Sequence, residues 1–147
     1  MRKQNVVQEA IIYNFVTQFG NGGAVIFLRN PAKPDAPFDN KKLRELGIPF
    51  ESQNQLPDVI IHDEKKNRLF LIDIAGSQKG PVTTKRRNEL SEFFTDCKEM
   101  KIYISAYVDM KEFSEDSNQI AWETEVWLAD TPDHMIHFNG DKFLGPR

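Results

Sequence analysis

Two aspartates stand where their side chains can act together. Asp58 follows Pro57 and precedes the apolar run Val59 to Ile61, and Asp73 lies inside the run Leu69 to Ala75, where an apolar residue would be the easy choice. The polar stretch His62 to Arg68 between them reads as the connection of a β-hairpin. With Glu64 to Asn67 at the tip, Asp63 pairs with Arg68, and the same register sets Asp58 opposite Asp73. Residues directly opposite on neighbouring strands have Cβ atoms ~4.5–5.5 Å apart, so the two carboxylates converge at the open end of the hairpin. Their repulsion is relieved by protonating one acid or by binding a hard cation, and an all-oxygen site with open water positions suits magnesium, with manganese as its substitute. Spacing alone leaves a plainer reading equally open, in which Asp58 sits in a turn after Pro57 and Asp73 caps a neighbouring backbone group. It also leaves room for a register slip of one or two residues.

A second concentration of chemistry follows the strand of Asp73. Lys79, Lys85, Arg86 and Arg87 fall in a stretch without an acid, and the last three occupy the first turn of a helix expected from about Thr84. Cations are disfavoured at a helix N-terminus by ~0.3–1 kcal/mol each when exposed. A phosphate group reconciles them with that position, because free N–H groups and flanking cations form an anion site. DNA backbone beside a carboxylate-held metal is then coherent chemistry, the metal polarising a phosphoryl oxygen and lowering the pKa of an attacking water. The plainer reading of the basic run is a solvated face.

Other residue types carry less. Asp133, His134 and His137 are too few for a zinc site, and Cys97 is remote from them in sequence; hydrogen bonding is the expected role of the histidines. Trp122, Trp127, Phe138 and Phe143 could stack on bases, but core packing is the plainer role. Glu9 is a secondary candidate as a further acid near the metal, a solvated helix face being its alternative.

The elements that must position these groups follow from periodicity. Val7, Ile11, Phe15 and Phe19 at steps of four, before Gly20, Gly22 and Gly23, predict a helix ended by glycines. Ala24 to Leu28 reads as a buried strand, and Asp39 to Leu46 as a short helix with an acidic cap and Gly47 just beyond. After the hairpin come a helix carrying Leu90, Phe93, Phe94 and Cys97, a strand from Ile102 to Val108, a short helix near Lys111, and a strand through Glu125 to Ala129. The remaining segment is rich in aromatic and turn residues. Mixed α/β is the class this order predicts, with residues 1–147 forming one domain.

Composition narrows the function. A net charge of −3 argues against non-specific coating of nucleic acid, so contact with DNA must be local. One cysteine, no export leader and no apolar run near the ~20 residues of a bilayer span point to the cytoplasm and away from a membrane.

The order Pro57-Asp58 then Asp73, within helix-strand-strand-strand-helix-strand, resembles the PD-(D/E)XK nuclease core. Three segments in order, LPDVIIHDEKKNRLFLIDIAGSQKGPVTTKRRNEL, IAWETEVWLAD and PDHMIHFNGDKFLGPR, resemble the catalytic domain of the BsuBI/PstI type II restriction endonuclease family from about Gln8 to Arg147. The resemblance implies a restriction-endonuclease-like core with additional C-terminal elements, Asp58 and Asp73 as metal ligands, double-stranded DNA as substrate and a homodimer. Asp73 stands where that family more often has glutamate, and Ala75 occupies the usual lysine position of the superfamily. Another cation must then do the lysine's work. Lys85 matches a family lysine within PVTTKRR, and Lys79 is the second choice. Ser77 lies in a turn one residue longer than usual, and near Arg29 to Pro31 the family more often has a glycine-aspartate turn. The family also places a winged-helix-like reading region ahead of this domain, for which 147 residues leave no room.

The sequence therefore leads us to expect a magnesium-dependent DNA endonuclease. Asp58 and Asp73 hold the metal, Lys85 assists the chemistry, and Lys79, Arg86 and Arg87 bind phosphates. A cognate DNA methyltransferase in the same system would protect host sites. The rival is a non-catalytic DNA-binding or assembly module that retains the nuclease fold.

Overall fold

In a computed structural model, which describes residues 2–30, 35–51 and 53–140, the four-residue spacing of Val7, Ile11 and Phe15 does form one buried helical stripe. Helix α1 (Arg2–Ala10) passes through a π-helical turn (Ile11–Phe15) into α2 (Val16–Gln18). The glycine-rich stop holds: the chain reverses at Gly22, whose φ of +71° is a left-handed conformation that glycine adopts without a Cβ penalty. Strand β1 (Ala24–Leu28) follows. Asp39 caps α3 (Asn40–Glu45) by accepting the Lys42 N–H at 3.0 Å, and Gly47 ends it at φ +77°.

The hairpin is β2 (Val59–Asp63) and β3 (Arg68–Ile74). Thr83 caps α4 (Thr84–Phe93), its hydroxyl accepting the Arg86 N–H. Then come β4 (Met100–Tyr107), α5 (Met110–Asp116) capped by Asp109, β5 (Thr124–Leu128) and β6 (Met135–Phe138). The sheet order is β1-β2-β3-β4-β5-β6, with β3, β4 and β5 parallel and the other pairs antiparallel. This is the helix-strand-strand-strand-helix-strand order expected, extended by α5, β5 and β6.

Both faces of the sheet are covered, which is why β2 is buried along its whole length. On one face Val59, Ile61, Phe70, Ile72, Ile104 and Trp127 pack against Val7, Ile11 and Phe15. Phe15 meets Phe70 and Trp127 edge-on, at centroid distances of 5.3 and 5.5 Å. On the other face Ile60, Leu69 and Leu71 pack against Leu43 of α3, Leu90 of α4 and Phe94 just beyond its end.

Two expectations are refined. The segment read only as aromatic and turn-rich contains β6, a four-residue strand held by pairing with β5. The tryptophans divide: Trp127 is core, with its Nε1–H donating to the Pro132 carbonyl, whereas Trp122 is 64% exposed and only partly covered by the Phe138 ring. Phe143 and Pro31 lie outside the described residues. Among the described residues no helix is long and apolar enough to cross a membrane.

Candidate active site

The β2–β3 ladder runs from Asp63 opposite Arg68 to Val59 opposite Ile72, and one further step sets Asp58 against Asp73. Beyond the ladder the side chains continue the bonding. The Asp58 N–H donates to Asp73 Oδ1 at 3.3 Å, and the Ile74 N–H donates to Asp58 Oδ2 at 2.8 Å. The acids thus meet at the open end of the hairpin, and each accepts a backbone N–H from the opposite side, the capping role that the plainer reading gave to Asp73. By the alternation of side chains along a strand, Asp73 shares a face with Leu69 and Leu71, beneath α4.

Each acid carries an arginine. Arg86 reaches down from the first turn of α4, its Nε 2.6 Å from Asp73 Oδ2 and its Nη2 3.4 Å from Oδ1. Arg29, just beyond β1, lies with Nε 3.4 Å from Asp58 Oδ1. Both guanidinium groups also donate to the Leu56 carbonyl, Arg29 at 2.6 Å and Arg86 at 3.4 Å, which ties the turn before Pro57 over the acids. Arg29 is itself held from α1: Gln8 Nε2 donates to its carbonyl at 2.6 Å, and Gln8 Oε1 accepts from Asn30 at 3.1 Å.

Burial, and after it the charge of Asp73, push the Asp58 carboxyl above its ordinary value. Hydrogen bonds from the Ser77 hydroxyl and the Ile74 N–H, with the charge of Arg29, act against that rise. Ser77 therefore does meet the site, bridging to the loop through the Gly80 N–H at 3.2 Å.

The basic run is divided by the turn of α4. Arg86 is turned inward with 5% of its side chain exposed, so it contacts Asp73 rather than the surface. Lys85 is exposed and, among the described residues, makes no ion pair. Arg87 lies over the Tyr103 ring, 5.2 Å from its centroid, with Nε buried and unpartnered, and Lys79 is half-buried in the preceding loop. Glu9 is exposed, while its neighbour Gln8 is buried. His137 contacts Glu125 at 3.2 Å and His134 is mostly exposed beside Asp133.

Sequence reasoning missed Gln8 and the acid partners of Arg29 and Arg86. A helical wheel does place Gln8 beside Val7 on the buried stripe, a polar residue where an apolar one is expected.

Hard carboxylate oxygens at Asp58 and Asp73 suit a hard divalent cation in kind. Among the described residues no third acid, histidine or cysteine joins them in a cluster able to hold a metal. A cation held by this pair would have to take water in its remaining positions.

The BsuBI/PstI restriction endonuclease domain family matches residues 2–141. The type II restriction enzyme BsuBI of Bacillus subtilis is 39% identical over 138 residues, covering 94% of this chain and 43% of that protein. The type II restriction enzyme AplI of Arthrospira platensis is 29% identical over 148 residues, covering 96% of this chain and 45% of that protein. The SdaI restriction endonuclease structure superposes with a TM-score of 0.86 at 30% identity, covering 97% of this chain and 45% of that one. This chain thus spans somewhat less than half the length of the relatives it matches.

Proposed function

The chain belongs to the BsuBI/PstI restriction endonuclease family, and on that premise we propose that it is the catalytic part of a type II restriction endonuclease, hydrolysing DNA phosphodiesters with magnesium or manganese. The observation that carries this reading is the convergence of Asp58 and Asp73, two acids that cap each other's strands beneath the start of α4.

Asp58 and Asp73 would hold the cation, which when bound supplies a Lewis acid at a phosphoryl oxygen and a water of lowered pKa. Arg29 favours the ionised form of Asp58 that this requires. Lys85 stands free at the first turn of α4 and stabilises the negative charge on the reacting phosphate. Lys79 and Arg87 hold the flanking backbone, where the N-terminus of α4 adds its own N–H groups. In the hydrolysis the water oxygen bonds to phosphorus, one ester P–O bond breaks, and the departing oxygen takes up a proton. Two such centres would cut both strands of a duplex in one encounter, and a homodimer belongs to the proposal. So do a cytoplasmic location and a cognate DNA methyltransferase that protects host sites.

The rival, a non-catalytic DNA-binding or assembly module, is favoured by one observation: Asp73 is fully buried and both acids already have arginine partners. Supercoiled plasmid incubated with the chain, in magnesium and in EDTA, separates the two. Cation-dependent nicking that is lost in a folded Asp58→Asn variant supports the nuclease, and intact plasmid with DNA binding retained supports the rival.

A further inference from the structure

Asp73 has no oxygen turned to solvent. Its Oδ2 takes the Arg86 Nε–H at 2.6 Å, and its Oδ1 takes the Arg86 Nη2 and the Asp58 N–H at 3.4 and 3.3 Å. The local charge is also closed, since Asp58 and Asp73 are matched by Arg29 and Arg86. A dication added to that set meets a neutral cluster and a guanidinium on the same carboxylate, which repels it.

The two arginines are not held alike. Arg29 Nη2 is fixed by the main-chain carbonyls of Gln53 and Leu56, both at 2.6 Å, and Arg29 Nε stands 3.4 Å from its acid. Arg86 has the reverse pattern, a short bond to its acid and long ones, 3.4 Å each, to the Gln55 and Leu56 carbonyls. It also has a second acid in reach: Glu89, one turn along α4 and 47% exposed, has Oε1 3.8 Å from Arg86 Nη1. An Arg86 that releases Asp73 can keep a carboxylate partner at the surface.

We propose that Arg86 and a divalent cation are alternative partners of Asp73, with Glu89 receiving the displaced guanidinium, so that Arg86 is the positioning residue that sets how readily this site takes a metal. The proposal rests on the metal reading of Asp58 and Asp73. Linkage makes the effect reciprocal: the factor by which Arg86 weakens the cation's hold on Asp73 is the factor by which the cation weakens Arg86's.

Manganese titration by calorimetry, without DNA, tests it. Arg86→Gln should bind manganese about tenfold more tightly than wild type, and the increase should vanish in Arg86→Gln combined with Asp73→Asn. Because Arg86→Gln leaves a buried acid unpaired and can fail to fold, the wild-type chain supplies a second measurement. The ¹⁵N–¹H resonance of the Arg86 Nε–H should shift as magnesium saturates the protein. Equal manganese affinity in wild type and Arg86→Gln, or an unmoved Arg86 resonance at magnesium saturation, overturns the exchange and leaves the metal reading standing. Manganese binding by neither wild type nor a folded Arg86→Gln overturns both.

Discussion

Arg86 Nε lies 2.6 Å from Asp73 Oδ2, with 5% of the arginine side chain and none of the aspartate exposed. A charged pair so enclosed behaves unlike the surface cation one residue earlier. Removing one partner strands the other charge in a low-dielectric interior.

The first prediction sets these neighbours against each other. Arg86→Ala should cost about 3–5 kcal/mol of folding stability, because it leaves Asp73 buried and unpaired. Lys85→Ala should stay within about 0.5 kcal/mol, as exposed substitutions usually do. Urea denaturation of both variants provides the comparison, and equal losses would contradict the inward turn of Arg86.

The second concerns acid stability at the far end of the hairpin. Burial raises the Asp63 carboxyl, but hydrogen bonds from Arg68, Asn21 and the Lys66 N–H outweigh it, and the net shift is downward. A carboxyl lowered in the folded state contributes stability above its unfolded value, about 3.9, and loses it as pH falls through the folded one. The stability gap between wild type and Asp63→Asn should therefore narrow as pH is taken down through that range. Denaturation midpoints measured from neutral pH downward check this, and a gap that stays constant with pH would count against it.

The third addresses the DNA surface. Removing a cation that neutralises one phosphate should reduce the slope of log affinity against log salt by about 0.9. Lys79→Ala and Lys85→Ala should each flatten the slope by that amount, measured by fluorescence anisotropy on a duplex. Variants that weaken binding without changing the slope would move these lysines off the phosphate path.

The hairpin was readable in advance because its two strands carry opposed constraints. The polar tip calls for a short connection, and of the registers that spacing allows, the one adopted has Asp63 and Arg68 closing it by a 2.8 Å ion pair. Once that pair is placed, the two-residue alternation of a strand forces Asp58 to the level of Asp73. The start of α4 near Thr84 was equally local, and in the structure Thr83 caps it. Strand β6 escaped notice because its four residues are half exposed and carry no strong apolar alternation; the edge of β5 organises it.

What the sequence by itself determined is therefore what is written in short-range periodicity: the helix stripe of Val7, Ile11 and Phe15 and the two strands of the hairpin, whereas the register that brings Asp58 to Asp73 was one of several it allowed and is fixed in the fold. Which of three consecutive cations faces the acids was decided only by the tertiary structure. Successive residues of a helix point about 100° apart, so the choice of Arg86 over Lys85 or Arg87 depends on how α4 is rotated against the sheet. That rotation is set by Leu90 and Phe94 packing on Leu69 and Leu71. Gln8 and Arg29 are 21 residues apart in sequence, and their contact likewise exists only because α1 packs on the sheet.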